Sequence, residues 1–183
     1  MLASVTRAAT NGFVARTPGN PLTWEATLGR STFRGQATGI NAVLAGNPLD
    51  VVNRPTCTCT IDMATLGTGN PSNDAILRGR TYLDVARYPT ATFALERVVS
   101  AVPQRLAEGV PVEVKAQAML TLHGVTRTVP VQASLTMQGG TLRMACAFDI
   151  DVTQFGITQP HVLCFKMGKV IHLRVGLTAR RDA

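Results

Sequence analysis

The sequence predicts an all-β domain, an eight-stranded antiparallel barrel with one or two short helices in residues 62–89. Three observations predict it: apolar and polar residues alternate along eight segments, turn residues separate these segments, and a hydrophobic content of 45% is enough for a core. Alternation places successive side chains on opposite faces of a strand. A sheet with one wet face is typically antiparallel.

The eight segments follow one another from Leu22 onward. In the first of them Leu22 and Trp24 alternate with Thr23 and Glu25. Between the sixth and seventh, Gly139-Gly140 is typical of a hairpin turn. The segments are residues 22–28, 33–39, 56–61, 93–102, 112–123, 128–137, 142–151 and 171–179.

Two regions lack this alternation. Residues 1–20 have no clear period and end among Pro and Gly residues, which predicts an N-terminal extension before a single domain at residues 21–183. Within residues 62–89, Asn70-Pro71-Ser72 supplies cap and turn residues for a short helix near residues 74–78.

Many predicted inward positions carry small residues. Eight strands form either a sandwich or a barrel, and a barrel of this size is either filled by side chains or holds one small ligand. A filled barrel needs large residues at mid-strand positions, so the pattern predicts a partly empty, apolar lumen. The small residues are Gly35, Ala37, Gly39, Cys57, Cys59, Ala116, Ala118, Ala133 and Cys146.

The alternative is that aromatic side chains and Met144 reach across the lumen and fill it. If the lumen is open, an elongated apolar molecule is its expected ligand. The residues predicted to bind this ligand are Trp24, Phe33, Ala37, Cys59, Phe93, Ala116, Ala118, Leu120, Ala133, Leu135, Met144, Cys146, Phe148, Leu173 and Val175.

The net charge of +7 favours anionic partners without selecting among them. Arg78, Arg80 and Arg87 flank the predicted helical segment. If that segment covers one end of the barrel, these cations are candidates to bind a phosphate or carbonyl head group. The alternative is that they are ordinary surface arginines. Nucleic acid is not an expected partner, because no basic patch with stacking aromatic residues is recognisable.

The sequence does not predict an enzyme, a metal site or a bound cofactor other than an isoprenoid lipid or quinone. Asp149 and Asp151 share one strand face, which is the outward one, without a third ligand nearby. His123, His161 and His172 are far apart in the sequence. No Gly-x-Ser-x-Gly nucleophile elbow occurs.

Cys57, Cys59 and Cys146 fall on the apolar face, where burial lowers thiol reactivity. We expect buried thiols, with a disulfide or metal ligation as the alternatives. The fourth cysteine, Cys164, lies in an apolar loop at residues 162–165.

No apolar run is long enough for a transmembrane segment. Residues 1–19 lack the features of a secretory signal. The expected compartment is therefore the cytoplasm, or the periplasm or exterior if a leader has been removed.

Several motifs resemble the YceI-like polyisoprenoid-binding family, and the resemblance runs from about Leu22 to Ala179. It implies a lipocalin-like eight-stranded barrel, an isoprenoid tail in the lumen (a polyprenyl phosphate or a quinone tail), bacterial origin and often a homodimer, frequently in the periplasm or secreted. The motifs are Ile61-Asp-Met-Ala-Thr-Leu-Gly-Thr-Gly-Asn-Pro71, Asp74-Ala-Ile-Leu-Arg78, Tyr82-Leu-Asp-Val85, Arg87-Tyr-Pro-Thr-Ala-Thr-Phe93, Leu120-Thr-Leu-His-Gly-Val-Thr-Arg-Thr-Val129 and Phe155-Gly-Ile157.

The chain departs from the family pattern at polar positions. The family's Arg-Asp-x-His-Leu stands here as Asn73-Asp74-Ala75-Ile76-Leu77, without its Arg and His, and Val152-Thr-Gln154 replaces an Arg before Phe155. These changes concern the head group of a ligand and leave the tail-binding expectation intact.

Two hypotheses follow. The first is a non-catalytic protein that binds, transports or sequesters an isoprenoid-type lipid. The second is a structural or accessory subunit with a filled barrel, which docks a larger assembly through the loop at residues 160–168, because four apolar residues in a loop favour a protein partner.

Overall fold

The computed structural model describes residues 12–16, 22–28, 30–47, 50–53, 55–159, 161–162 and 165–181. These residues form eleven strands, one α-helix and two 3₁₀ helices, Met63–Thr65 and Val152–Phe155. The strands and the helix are β1 (Gly12–Arg16), β2 (Leu22–Leu28), β3 (Ser31–Ala37), β4 (Ile40–Ala45), β5 (Thr56–Asp62), α1 (Pro71–Arg78), β6 (Thr90–Val102), β7 (Val112–Leu122), β8 (Val125–Gln138), β9 (Thr141–Asp151), β10 (His161–Val162) and β11 (Phe165–Arg181).

Eight of the strands pair in a closed antiparallel ring. Its order is β1-β4-β5-β6-β7-β8-β9-β11, and Phe13–Arg181 and Val14–Arg180 pair β1 back onto β11. The long strand β11 also pairs with β2 along its earlier part, whereas β1 pairs with its end. The hairpin of β2 and β3 is therefore attached to the ring through β11. The predicted all-β barrel is confirmed.

The described structure contains three strands that the sequence pattern does not predict. Gly12–Arg16, within the segment assigned to an N-terminal extension, is a barrel strand that pairs with β4. Ile40–Ala45 follows β3 as a separate strand, and its alternation is masked because Val43 is apolar but exposed. The third, His161–Val162, is a two-residue strand paired with β11.

The short helix lies where the sequence predicts it. Asn70 caps it, since its side-chain oxygen accepts hydrogen bonds from the backbone N–H groups of Ser72 and Asn73. Pro71 suits the first turn, where its missing N–H has no helical partner. Together with the two 3₁₀ helices, α1 lies at one end of the barrel, called here the helix end.

The opposite end, called the loop end, is formed by the β4–β5 connection and by residues 103–111. These two loops meet where the N–H of Val51 donates to the carbonyl of Gln104. The β8–β9 hairpin also turns here, and both Gly139 and Gly140 have positive φ, as the predicted tight turn requires.

The core is the inside of the barrel. Inward side chains of β7, for example, alternate strictly with exposed or half-buried ones, and Val112 and Ala118 are fully buried. Among the described residues no polar or charged side chain is classed as buried. The described core of the barrel is therefore built from apolar residues.

Candidate functional site

The lumen contains two apolar cavities, one towards each end of the barrel. The loop-end chamber has a volume of about 120 Å³. Its lining residues are Leu44, Ala45, Gly46, Asn47, Val51, Pro55, Thr56, Cys57, Phe93, Leu95, Val98, Leu106, Val114, Ala116, Val131, Ala133, Leu135, Leu142, Met144 and Cys146.

The helix-end chamber has a volume of about 110 Å³, and none of the described residues in its lining is polar. The helix α1 and the turn after it close this chamber with Leu77 and Leu83. The full lining is Leu22, Trp24, Ile61, Met63, Leu66, Leu77, Leu83, Ala91, Leu120, Leu122, Phe148, Ile150, Val152, Ile157, Met167, Ile171 and Leu173.

The two chambers meet at a waist formed by Phe93 and Phe148. Phe93 lines only the loop-end chamber and Phe148 only the helix-end chamber. Their ring centroids are 5.8 Å apart and their planes are inclined by 37°. This is the spacing of a packed aromatic pair. The rings therefore lie in contact across the lumen.

The strands β5 and β7 pass the waist, and each has residues lining the loop-end chamber on one side of it and residues lining the helix-end chamber on the other. On β7, Ala116 lines the loop-end chamber and Leu120 the helix-end chamber, while Ala118 between them lines neither and is fully buried. Cys59 has the same intermediate place on β5. We define the waist as these two residues and the two phenylalanines.

The predicted ligand-binding residues divide into three groups. Phe93, Ala116, Ala133, Leu135, Met144 and Cys146 line the loop-end chamber. Trp24, Leu120, Phe148 and Leu173 line the helix-end chamber. Phe33, Ala37, Cys59, Ala118 and Val175 line neither, because they pack at the waist or against neighbouring side chains.

Small inward residues have two different causes. A Cβ at Gly35 would overlap the indole of Trp24, and a Cβ at Gly39 would lie 2.8 Å from side-chain atoms of Asp62 and Thr65. Those two glycines therefore permit close packing and do not widen the lumen. Ala116 and Ala133, by contrast, face open space.

Trp24 is held in the lumen by packing. Its indole is 5% exposed, lies 5.7 Å from the Phe33 ring, and has an Nε1–H without a hydrogen-bond partner among the described residues. Aromatic side chains therefore fill the barrel only near Gly35, as the alternative interpretation expects there. Elsewhere in the lumen two chambers remain empty of side chains.

Loops and the helix α1 supply lining residues that the strand pattern does not reveal. Val51 and Leu106 line the loop-end chamber, and Leu66, Leu77 and Leu83 line the helix-end chamber. They lie outside the strands and follow no period of two. No periodic pattern in the sequence therefore marks them as lining residues.

The candidate head-group arginines lie at the helix end in three different environments. Arg78 is engaged within the fold, since its Nε donates to the carbonyl of Leu66 at 2.7 Å. Arg87 lies over the Tyr88 ring at 5.2 Å. Arg80 is exposed. Arg80 and Arg87 are the two that remain oriented towards solvent for an external anion.

Asp74 fastens the helix α1 to the preceding loop. Its carboxylate accepts hydrogen bonds from the Thr68 hydroxyl at 2.7 Å and the Thr68 backbone N–H at 2.6 Å. These bonds, with the nearby Arg78 guanidinium, hold the pKa of Asp74 below its usual value. The acidic residue kept from the family motif thus has a structural role here.

The turn between β7 and β8 is tied to the helix-end loops. The His123 ring lies 4.5 Å from that of Tyr88, and its Nδ1 is 3.2 Å from the Phe155 carbonyl oxygen. A side chain at Gly124, where φ is +76°, would collide with Tyr88. The alternation of residues 112–123 predicts an outward His123, but the structure places it half-buried in this contact.

The outward carboxylates contact the side chains of His172 and Lys169 on β11. Asp149 lies 2.7 Å from Nδ1 of His172, and Asp151 lies 3.2 Å from Nζ of Lys169. Asp151 also caps the second 3₁₀ helix by accepting from the Thr153 N–H. In the described part of the chain, no group of three His, Cys, Asp or Glu residues is arranged to hold a metal ion.

The three described cysteines are free thiols. Burial raises the pKa of Cys57 to about 11 and that of Cys59 and Cys146 to about 12. They are protonated at neutral pH and act as small apolar wall groups. Cys164, and most of the predicted docking loop at residues 160–168, lie outside the described residues or have side chains that are not described.

Across the described residues, no helix has the length and apolar character needed to cross a membrane.

Comparison with solved structures shows the same fold. BcnA of Burkholderia cenocepacia matches with a TM-score of 0.73 at 18% identity, over 87% of this chain and 95% of that one. A polyisoprenoid binding domain from Saccharophagus degradans, implicated in plant cell wall breakdown, matches with a TM-score of 0.73 at 15% identity, over 93% and 98%. The Campylobacter jejuni YCEI protein matches with a TM-score of 0.63 at 18% identity, over 86% and 89%.

Sequence comparison agrees with the fold. A UPF0312 protein of Enterobacter sp. (strain 638) is 35% identical over 80 residues, which are 44% of this chain and 37% of that protein. The YceI-like domain profile matches residues 13–180, from β1 to the end of β11. The chain therefore belongs to the YceI-like domain family.

Proposed function

We propose that this protein binds an elongated apolar molecule of the isoprenoid type in its lumen, as a carrier or sequestering protein without chemistry of its own. The main support for this proposal is the pair of apolar chambers that lie one after the other inside the closed barrel. The similarity to a polyisoprenoid binding domain of Saccharophagus degradans supports the same class of ligand.

The walls favour a hydrocarbon tail over any charged group. Burying apolar surface stabilises a complex by roughly 25 cal/mol per Å², whereas an unpaired buried charge is strongly unfavourable. Among the described lining residues, only Asn47 and Thr56, near the loop end, add side-chain amide or hydroxyl groups. A phosphate head group would therefore lie outside the chambers, and only the tail inside.

The absence of chemistry is part of the proposal. The thiols that face the lumen have raised pKa values, so they are poor nucleophiles at neutral pH. The carboxylate of Asp149 contacts the His172 ring and that of Asp151 pairs with Lys169, both outside the lumen.

Native mass spectrometry and lipid extraction of gently purified protein test the binding. We expect a co-purified lipid with an isoprenoid chain, or uptake of geranylgeraniol by the empty protein. A protein that arrives empty and takes up no prenyl alcohol would contradict the proposal.

A matched pair of variants locates the site. In Ala116→Phe, the added ring occupies a chamber of about 120 Å³, near the size of cavity that accepts benzene, so we expect uptake to be lost. Ala145→Phe places the same ring on the exposed face of β9 and keeps binding. Ala118→Phe is less informative, because Ala118 is fully buried at the waist and a ring there would overpack the core.

For the head group we propose Arg80 and Arg87 as contacts at the helix end. In Arg80→Gln we expect farnesyl phosphate to bind about three- to fivefold more weakly, the range for an exposed charge contact, while farnesol is unaffected. Arg143→Gln, on the outer face of β9, is the control. An equal loss for both ligands, or none for the phosphate, would place the head group elsewhere.

A further inference from the structure

The lumen is divided, and the division has a consequence for ligand length. Each chamber, at about 120 and 110 Å³, is slightly smaller than an engineered cavity of about 150 Å³ that binds benzene. A chamber of this size holds a ring or a short branched chain. A tail of several isoprene units fits only if it occupies both.

We propose that Phe93 and Phe148 form a length-selecting gate, so that short apolar ligands occupy one chamber and long chains bind only by displacing the rings. This inference rests on the proposed function, and it assigns the selection to two named residues.

The geometry of the waist supports displacement of the rings. The phenylalanines come from β6 and β9, which are not paired with one another. One ring can therefore rotate while the backbone of the other strand stays in place. The side chains beside them, Cys59 and Ala118, are small. No polar group lies among the waist residues, so a passing hydrocarbon meets only apolar atoms.

The waist therefore sets a penalty that depends on ligand length. Holding a side chain about 30° away from its preferred rotamer weakens binding by up to roughly tenfold. A ligand confined to one chamber avoids this penalty. A ligand that passes the waist incurs it once, and each further isoprene unit then buries more apolar surface.

The test compares geraniol, farnesol and geranylgeraniol, each one isoprene unit longer than the last, on wild type, Phe93→Leu and Phe148→Leu. We expect the leucine variants to bind geranylgeraniol up to roughly tenfold more tightly than wild type does, with little change for geraniol. Phe155→Leu is the control: Phe155 is 1% exposed and lines neither chamber, so it should leave the preference unchanged.

Leucine is chosen because Phe→Ala removes more core volume, and urea unfolding of each variant shows that it is folded. An unchanged ratio of geranylgeraniol to geraniol affinity in both leucine variants would overturn the gate. So would the same change in ratio in Phe155→Leu, because the effect would then follow core truncation in general.

A second measurement does not depend on the lipid. Xenon, detected by ¹²⁹Xe NMR and by xenon-induced amide shifts, should enter the two chambers of wild type as separate sites. In Phe93→Leu and Phe148→Leu these sites should exchange faster or merge. A single site in wild type would overturn the divided lumen, whereas failure of every prenyl alcohol to bind, with two xenon sites seen, would remove the proposed function and leave the division standing.

Discussion

At the scale of single residues, the buried thiols make stability depend on pH. Cys57, Cys59 and Cys146 have folded-state pKa values of about 11, 12 and 12, above their ordinary value of 9.0. Below pH 9 both states are protonated and the stabilisation is complete. As the pH rises above 9, the unfolded chain loses protons that the folded protein keeps, so the free energy of unfolding falls.

We expect each thiol to remove roughly 1 kcal/mol from the free energy of unfolding by about pH 10. Urea denaturation between about pH 8 and 10 measures this loss. The triple variant Cys57→Ala, Cys59→Ala, Cys146→Ala is the reference, because lysines and tyrosines titrate equally in both proteins. If the two proteins lose stability in parallel, the thiols are not the cause.

Single residues also show where sequence reasoning is insufficient. Gly35 and Ala116 are both small inward residues in the sequence, yet Gly35 lies beneath the Trp24 indole and Ala116 borders a chamber. The difference depends on which side chain the neighbouring strand places opposite, as Trp24 is placed opposite Gly35. Periodicity gives the face of a residue but not the size of its cross-strand neighbour.

At the scale of elements, the helix α1 is a cover whose stability is set by its cap. None of its residues is buried, so local hydrogen bonds hold it more than core packing does. In Asn70→Ala, two backbone N–H groups lose their acceptor, which costs about 1 kcal/mol.

Hydrogen exchange measured by mass spectrometry checks this expectation. Peptides covering residues 66–83 should exchange faster in Asn70→Ala, while β7 and β8 keep their protection. Ser72→Ala serves as the control, because Ser72 is exposed and lies in the first turn of α1, two residues after Asn70. Equal exchange in both variants would show that other contacts, such as Asp74 with Thr68, hold the cover alone.

The elements also differ in how well the sequence predicts them. The helix α1 is predictable because the residues that start it, the cap Asn70 and Pro71, lie next to it in the sequence. Strand β4 was missed because apolar Val43 is 43% exposed, which interrupts the alternation. Strand β1 was missed because its pairing partners, β4 and β11, are distant in the sequence, so long-range pairing and not local pattern determines it.

At the scale of the whole molecule, the barrel is closed unevenly. The strands β7 and β8 pair along the full length of β7, from Val112 with Leu135 to Leu122 with Val125. At the closure between β1 and β11, the described pairs are Phe13–Arg181 and Val14–Arg180. Among the described residues these pairs are few beside those between β7 and β8, and few hydrogen bonds imply a low free energy of local opening.

We therefore predict that the barrel opens first at this seam, while β7 and β8 open only with global unfolding. Native-state hydrogen exchange at low urea concentrations should show amides of β1 exchanging through a local opening that is insensitive to urea, and amides of β7 with the full urea dependence. A ligand in both chambers contacts Val114, Ala116 and Leu120 of β7, so it should slow exchange in β7. Equal protection and equal urea dependence in β1 and β7 would show instead that the barrel opens as one cooperative unit.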